Sequence, residues 1–122
     1  NIHTNPITSK KGCITMSIKW QDKDPDDQVD YSIDWTNILE EHTISSVAWK
    51  IYDATTNSFI TFAQGDIVNG LQHVTNTNTD TVATLYLGLG TNFQEYNIVC
   101  RMTTSISTVF EQEARIRVVE KN

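Results

Sequence analysis

Cysteine is scarce in this chain: Cys13 and Cys100 are the only two in 122 residues, one in a polar stretch and one inside an apolar strand pattern. A disulfide-stapled scaffold is therefore not implied, and two free thiols are expected. Basic residues are also few, nine against fifteen acidic ones, for a net charge of −6. Beyond Lys10-Lys11 they do not cluster, so the electrostatic footprint of a nucleic-acid binder is missing and no direct contact with nucleic acid is expected. No apolar run approaches the length of a membrane span, and residues 1–11 are too polar for a secretory signal, so the chain reads as soluble and unexported, with no membrane contact. His3, His42 and His73 stand apart from one another and from both cysteines, without the close spacings that assemble a metal site, and neither a metal nor a cofactor is implied.

What remains is a β-rich composition. Apolar residues make up 39% of the chain and aromatic ones 9%, enough for a packed core. One domain of this length buries roughly two-thirds of its unfolded-chain surface. Val29, Tyr31, Ile33 and Trp35 alternate without exception with Asp30, Ser32, Asp34 and Thr36, the pattern of a strand with one buried and one wet face. Val47, Trp49 and Ile51 repeat it, and a polar turn precedes a further strand over residues 58–63. Ile67-Val68 and the segment from Leu71 flank Asn69-Gly70, a dipeptide that tolerates positive φ at both central positions of a type I′ turn, so a tight hairpin or a bulge is expected there. Residues 75–80, Thr-Asn-Thr-Asn-Thr-Asp, read as a polar loop. Residues 82–87 follow as a strand, and Gly88-Leu89-Gly90 marks a break. Tyr96, Ile98, Cys100 and Met102, then Phe110, Ala114, Ile116 and Val118, outline the last two strands. Helical periodicity is absent beyond one turn at residues 36–41. About seven strands separated by polar turns predict an immunoglobulin-like antiparallel β-sandwich over residues 21–122, preceded by an extended arm over residues 1–20.

No constellation of catalytic residues emerges. There is no Gly-x-Ser-x-Gly elbow, and Gly88-Leu89-Gly90 lacks the third glycine and following helix of a nucleotide fingerprint. Asp22, Asp24, Asp26 and Asp30 occupy positions 1, 3, 5 and 9 of a calcium-loop pattern. However, Asp27 stands where that pattern needs glycine and Ile33 where it needs glutamate, so a solvated loop capping the first strand is the default and a weak ion site the alternative. Alternation sends Trp35 and Trp49 into the core, whereas Trp20 lies at an element end and is the better candidate for a partner contact.

At Ile18-Lys19-Trp20, Lys23-Asp24-Pro25-Asp26, Asp30-Tyr31, Asp34-Trp35, Thr43-Ile44 and Trp49, the chain resembles a family of small immunoglobulin-like virion proteins of short-tailed phages, of the fiber-tail or head-tail adaptor type. The resemblance spans residues 16–119. Relatives begin near Met16, so residues 1–15 look like an extension, and the stretch between Trp49 and Val82 is longer than theirs. The resemblance implies a non-enzymatic virion protein, assembled in the host cytoplasm. It would act in symmetric multi-copy or homo-oligomeric form as an adaptor at the neck or tail, contacting neck, tail, fiber or capsid proteins. A capsid cement protein is the alternative within that class, and a carbohydrate-binding β-sandwich module the alternative outside it. Irregular composition selects the arm, through Ile2, Ile7, Ile14 and Trp20, and the polar stretch, through Thr77 and Asn78, as contact residues.

Overall fold

Side chains that alternate along a strand must alternate between core and solvent, and that requirement builds two layers here. A computed structural model describes residues 2–6 and 18–120. Among them the chain forms β1 (Ile2–Pro6), β2 (Ile18–Lys19), β3 (Val29–Asp34), the single turn α1 (Thr36–Leu39), β4 (Ile44–Asp53), β5 (Ser58–Thr61), β6 (Ile67–Val68), β7 (Leu71–Asn78), β8 (Val82–Leu89), β9 (Glu95–Thr104) and β10 (Val109–Arg117). One sheet has the order β1-β3-β8-β7-β6 and the other β2-β10-β9-β4-β5. The architecture is an all-β sandwich of two separate sheets. Among the described residues, pairing is antiparallel throughout the interior of both, and parallel at outer edges, where β1 joins β3, β2 joins β10 and an isolated bridge links Lys23 to Val118. The count exceeds the seven or so strands expected through short edge pieces, of which β6 is the expected hairpin partner of β7 and β1 falls within the segment expected as an extended arm.

The core forms where the inner faces meet. Tyr31, Ile33, Leu71, Ala83, Leu85 and Leu87 come from one sheet, and Trp49, Ile51, Tyr96, Ile98, Cys100, Met102, Ala114 and Ile116 from the other, all buried. Burying each large aliphatic or aromatic side chain contributes about 1.5–3 kcal/mol. Trp20, Trp35, Leu39, Phe62 and Val118 close the remaining gaps. Packing thus begins before residue 21: the Trp20 amide donates to the Arg115 carbonyl at 2.9 Å, and its indole stacks on Tyr31 with ring centroids 4.8 Å apart and planes 17° off parallel.

Two expectations need correction. The polar stretch at residues 75–80 is a loop only at Thr79 and Asp80, because Thr75, Asn76, Thr77 and Asn78 pair with Tyr86, Leu85, Thr84 and Ala83 and extend β7. Its Thr-Asn alternation has the two-residue period of a strand, and β-branched threonine suits an extended backbone. A register shift between His73 and Thr75 accommodates Val74 as an extra residue, a β-bulge. Nor does β3 have a wet face. Asp30 and Ser32 are buried along with their apolar neighbours, and Ser32 Oγ lies 2.7 Å from Thr84 Oγ1 on β8.

The Asn69-Gly70 hairpin forms as the dipeptide requires, with φ of 50° and 91° joining β6 to β7. A Cβ on Gly70 would meet Thr91 Oγ1 at 2.5 Å, so strain and crowding act together at this turn. Gly70→Ala is expected to lose more than about 1 kcal/mol in urea unfolding. Ile98→Ala, which empties a fully enclosed site, is expected to lose about 2–5 kcal/mol by the same measurement, whereas Phe93→Ala, at an exposed position, stays within about 0.5 kcal/mol of the parent.

Candidate functional site

The three tryptophans, rings that a carbohydrate-binding module would need on its surface, all lie inside the sandwich. Trp20, expected at a partner contact, is 1% exposed, because its ring fills the space between Tyr31 and Trp49, 6.5 Å from the latter. Ile7 and Ile14 lie outside the described residues, as does Cys13; Ile2 opens β1, in register with Asp30. Thr77 and Asn78 are exposed on the last two residues of β7. Of those described, buried Trp20 shares no surface with the exposed Thr77 and Asn78. Cys100 is a free thiol, and burial pushes its pKa far up, which leaves it unreactive.

Exposed apolar side chains instead gather at the two ends of the sandwich. At the α1 end, a cleft of about 480 Å³ opens between α1 and the β9–β10 turn, lined in part by Ile38, Leu39, His42, Ile106, Val109 and Phe110. Asp34 shapes this end: its Oδ1 accepts from the Thr36 backbone N–H at 3.0 Å and from the Thr36 hydroxyl, starting the turn that delivers Ile38 and Leu39 to the core. Ile106, at the tip of the β9–β10 turn, is 59% exposed.

The opposite end carries Ile67, Leu89 and Phe93, the last 72% exposed. Leu89 and Phe93 hold positive φ, 56° and 68°, a conformation non-glycine residues adopt at a cost of about 1–3 kcal/mol each. The surroundings over-determine this loop. The Tyr96 hydroxyl, from the second sheet, donates to the Asn69 carbonyl at 2.6 Å and accepts from the Thr91 amide at 3.0 Å, while the Phe93 amide donates to the Val118 carbonyl at 2.7 Å.

Beneath the loop lies Lys23, fully buried, whose ammonium donates to the Leu89 carbonyl at 2.5 Å and to the Asp24 carbonyl at 2.8 Å. Desolvation lowers its pKa, against the opposing pull of Asp27, Asp24 and Asp26. The acidic stretch with calcium-like spacing therefore surrounds a cation of its own. Asp24 Oδ1 accepts from the Asp26 amide at 2.9 Å, so this carboxylate builds the turn. Among the described residues, no group of three or more His, Cys, Asp or Glu side chains gathers that could hold a metal. Sequence reading treated Lys23 only as part of a loop; no local pattern distinguishes a lysine that folds inward.

His73 is the other buried polar link. Its Nδ1 lies 2.8 Å from the Phe62 carbonyl, which can only accept, so Nδ1 carries the proton and Nε2 accepts from Asn76 Nδ2 at 2.9 Å. Desolvation by burial lowers its pKa, outweighing the hydrogen bond to Phe62 and the Asp66 charge. The folded state thus binds a proton at His73 less readily than the unfolded chain does. The stability this difference protects is complete above the unfolded value near 6.5 and falls as pH drops below it. The urea midpoint is expected to decline between pH 7.5 and pH 5 more steeply in the parent than in His73→Gln. Lys23→Ala strands the Leu89 carbonyl and leaves a void, and is expected to lose about 2–4 kcal/mol in the same assay.

No curated protein matches the chain. A family model described as Podophage GP4 fiber-tail adaptor protein gp77 matches residues 23–117, from Lys23 through the last residue of β10. The matched region takes in every strand from β3 to β10 and both apolar ends. With most of its length so matched, the chain belongs to the podophage GP4 fiber-tail adaptor protein gp77 family.

Proposed function

We propose that this chain is a non-enzymatic structural adaptor of a short-tailed phage virion, present in several symmetric copies at the neck or tail, where it joins fiber to tail. The carrying observation is the family match across residues 23–117, which coincides with the two-sheet body from β3 to β10. A joint between two virion proteins needs two separated adhesive surfaces on a stiff body. The fold offers apolar side chains at opposite ends, Ile106 and Val109 at one and Ile67, Leu89 and Phe93 at the other, with the core running between them. Exposed apolar side chains of this kind favour association through area removed from water. Within this reading, the arm, through Ile2, Ile7 and Ile14, and the exposed end of β7, through Thr77 and Asn78, supply additional contacts.

Particles assembled without this chain are expected to retain filled heads and tails and to lack fibers in electron micrographs; fully fibered particles would refute the role. Phe93→Asp and Ile106→Asp, each at an exposed position and each within about 0.5 kcal/mol of parental stability, are expected to lose different partners, one giving particles without the adaptor and the other particles with adaptor but no fiber. Loss of the same partner by both would reject the division of labour between the two ends.

A further inference from the structure

We infer that the outer edge of β3 is a strand-acceptor site, and that within an assembly it takes up residues 2–6 from a second copy of the chain. This goes beyond the adaptor role and is tested on the purified protein, so its failure would leave that role standing.

A strand that ends a sheet is ordinarily short or blunted by proline, lysine or a bulge. β3 has six residues, none of them proline or lysine, an unbroken register with β8, and burial at every position from Val29 to Ile33. The other sheet edges are unlike it. β2 and β6 are two residues each, β5 has four, β7 beyond β6 runs into the polar Thr-Asn tract, and the stretches of β4 and β10 left uncovered by β5 and β2 include exposed positions where β3 is buried throughout. β3 is thus constructed as an interior strand, and what makes it interior is β1, paired in parallel as Ile2 with Asp30, Thr4 with Ser32 and Pro6 with Asp34.

The family match starts at residue 23, after β1 and β2. The acceptor edge therefore belongs to the matched body, while its occupant lies outside the match. Parallel pairing is slightly the less stable kind per residue, and β1 connects to β2 through the eleven residues 7–17. That contour reaches about 35–40 Å, comparable with the roughly 35 Å diameter of a domain this size. The same connection thus brings β1 to its own β3 or to that of an adjoining copy. Because the chemistry of pairing is identical in both cases, the choice depends on local concentration: a connection of eleven residues holds the strand at an effective concentration of about millimolar, and an array of touching copies matches that value. Exchange of an identical element in this way is a low-cost route to linking protomers.

The test uses two full-length chains in a Cys13→Ser background, one carrying Thr4→Cys and the other Ser32→Cys, two positions in register across the β1–β3 pair. The chains are unfolded together, refolded at about 0.1 mM and oxidised in a glutathione buffer. A control pairs Thr4→Cys with Glu111→Cys, on the far sheet. Disulfide-linked heterodimer is expected to stand severalfold above the control, at about one tenth of the yield with which a single chain carrying both cysteines closes, the ratio of the free-chain concentration to a millimolar effective one. A single chain carrying both Thr4→Cys and Ser32→Cys reports pairing within one copy. Heterodimer at the control level would overturn the proposal, whether that single chain closes on itself, showing that β1 never leaves its own body, or fails to close, showing that the edge does not take this strand.

Discussion

Everything in this molecule follows from the removal of two inner sheet faces from water at once. Tyr31, Ile33, Leu85 and Leu87 have no dry environment without Trp49, Ile51, Ile98 and Cys100 opposite them, and the converse holds as well. The demand for large rings in that space is strong enough to draw in Trp20 from the approach to the body and Trp35 from the start of α1. Consequently the three tryptophans serve cohesion, and exposed apolar side chains are left at the two ends.

Those ends are not built alike. At one, α1 and the β9–β10 turn leave an apolar hollow between them. At the other, a buried lysine and a tyrosine hydroxyl hold the loop between β8 and β9 in place. Lys23 is costly to desolvate, and its two carbonyl partners with the nearby aspartates offset that cost. Removing a partner from such an arrangement is far more damaging than replacing the whole arrangement with apolar atoms, which ties the acidic loop, the Leu89 turn and β10 together energetically.

The layered fold was readable from the sequence because period-two alternation is a local signal: Tyr96, Ile98, Cys100 and Met102 all point inward as the spacing requires. The Asn69-Gly70 turn was equally legible, since its chemistry is carried by two adjacent residues. The Thr-Asn tract of β7 was misread because composition alone does not register a partner strand, and β8 lies opposite it only once the chain has folded. Trp20 and Lys23 were misplaced for a related reason. Their burial is decided by Tyr31, Leu89 and Arg117, residues distant in sequence. The apolar ends of the candidate site could not be foreseen either, because Ile106 and Phe93 look the same in a sequence as core residues do.

The bridge from Tyr96 to Asn69 and Thr91 crosses from one sheet to the other directly beneath Phe93 and Leu89. Backbone groups fixed in this manner have little freedom left to surrender. A protein landing on this end therefore meets a surface whose shape is already set and forfeits little entropy to ordering. Even a small apolar footprint of a few side chains can then hold firmly, and amide hydrogen exchange in the loop should be slow already in the isolated subunit.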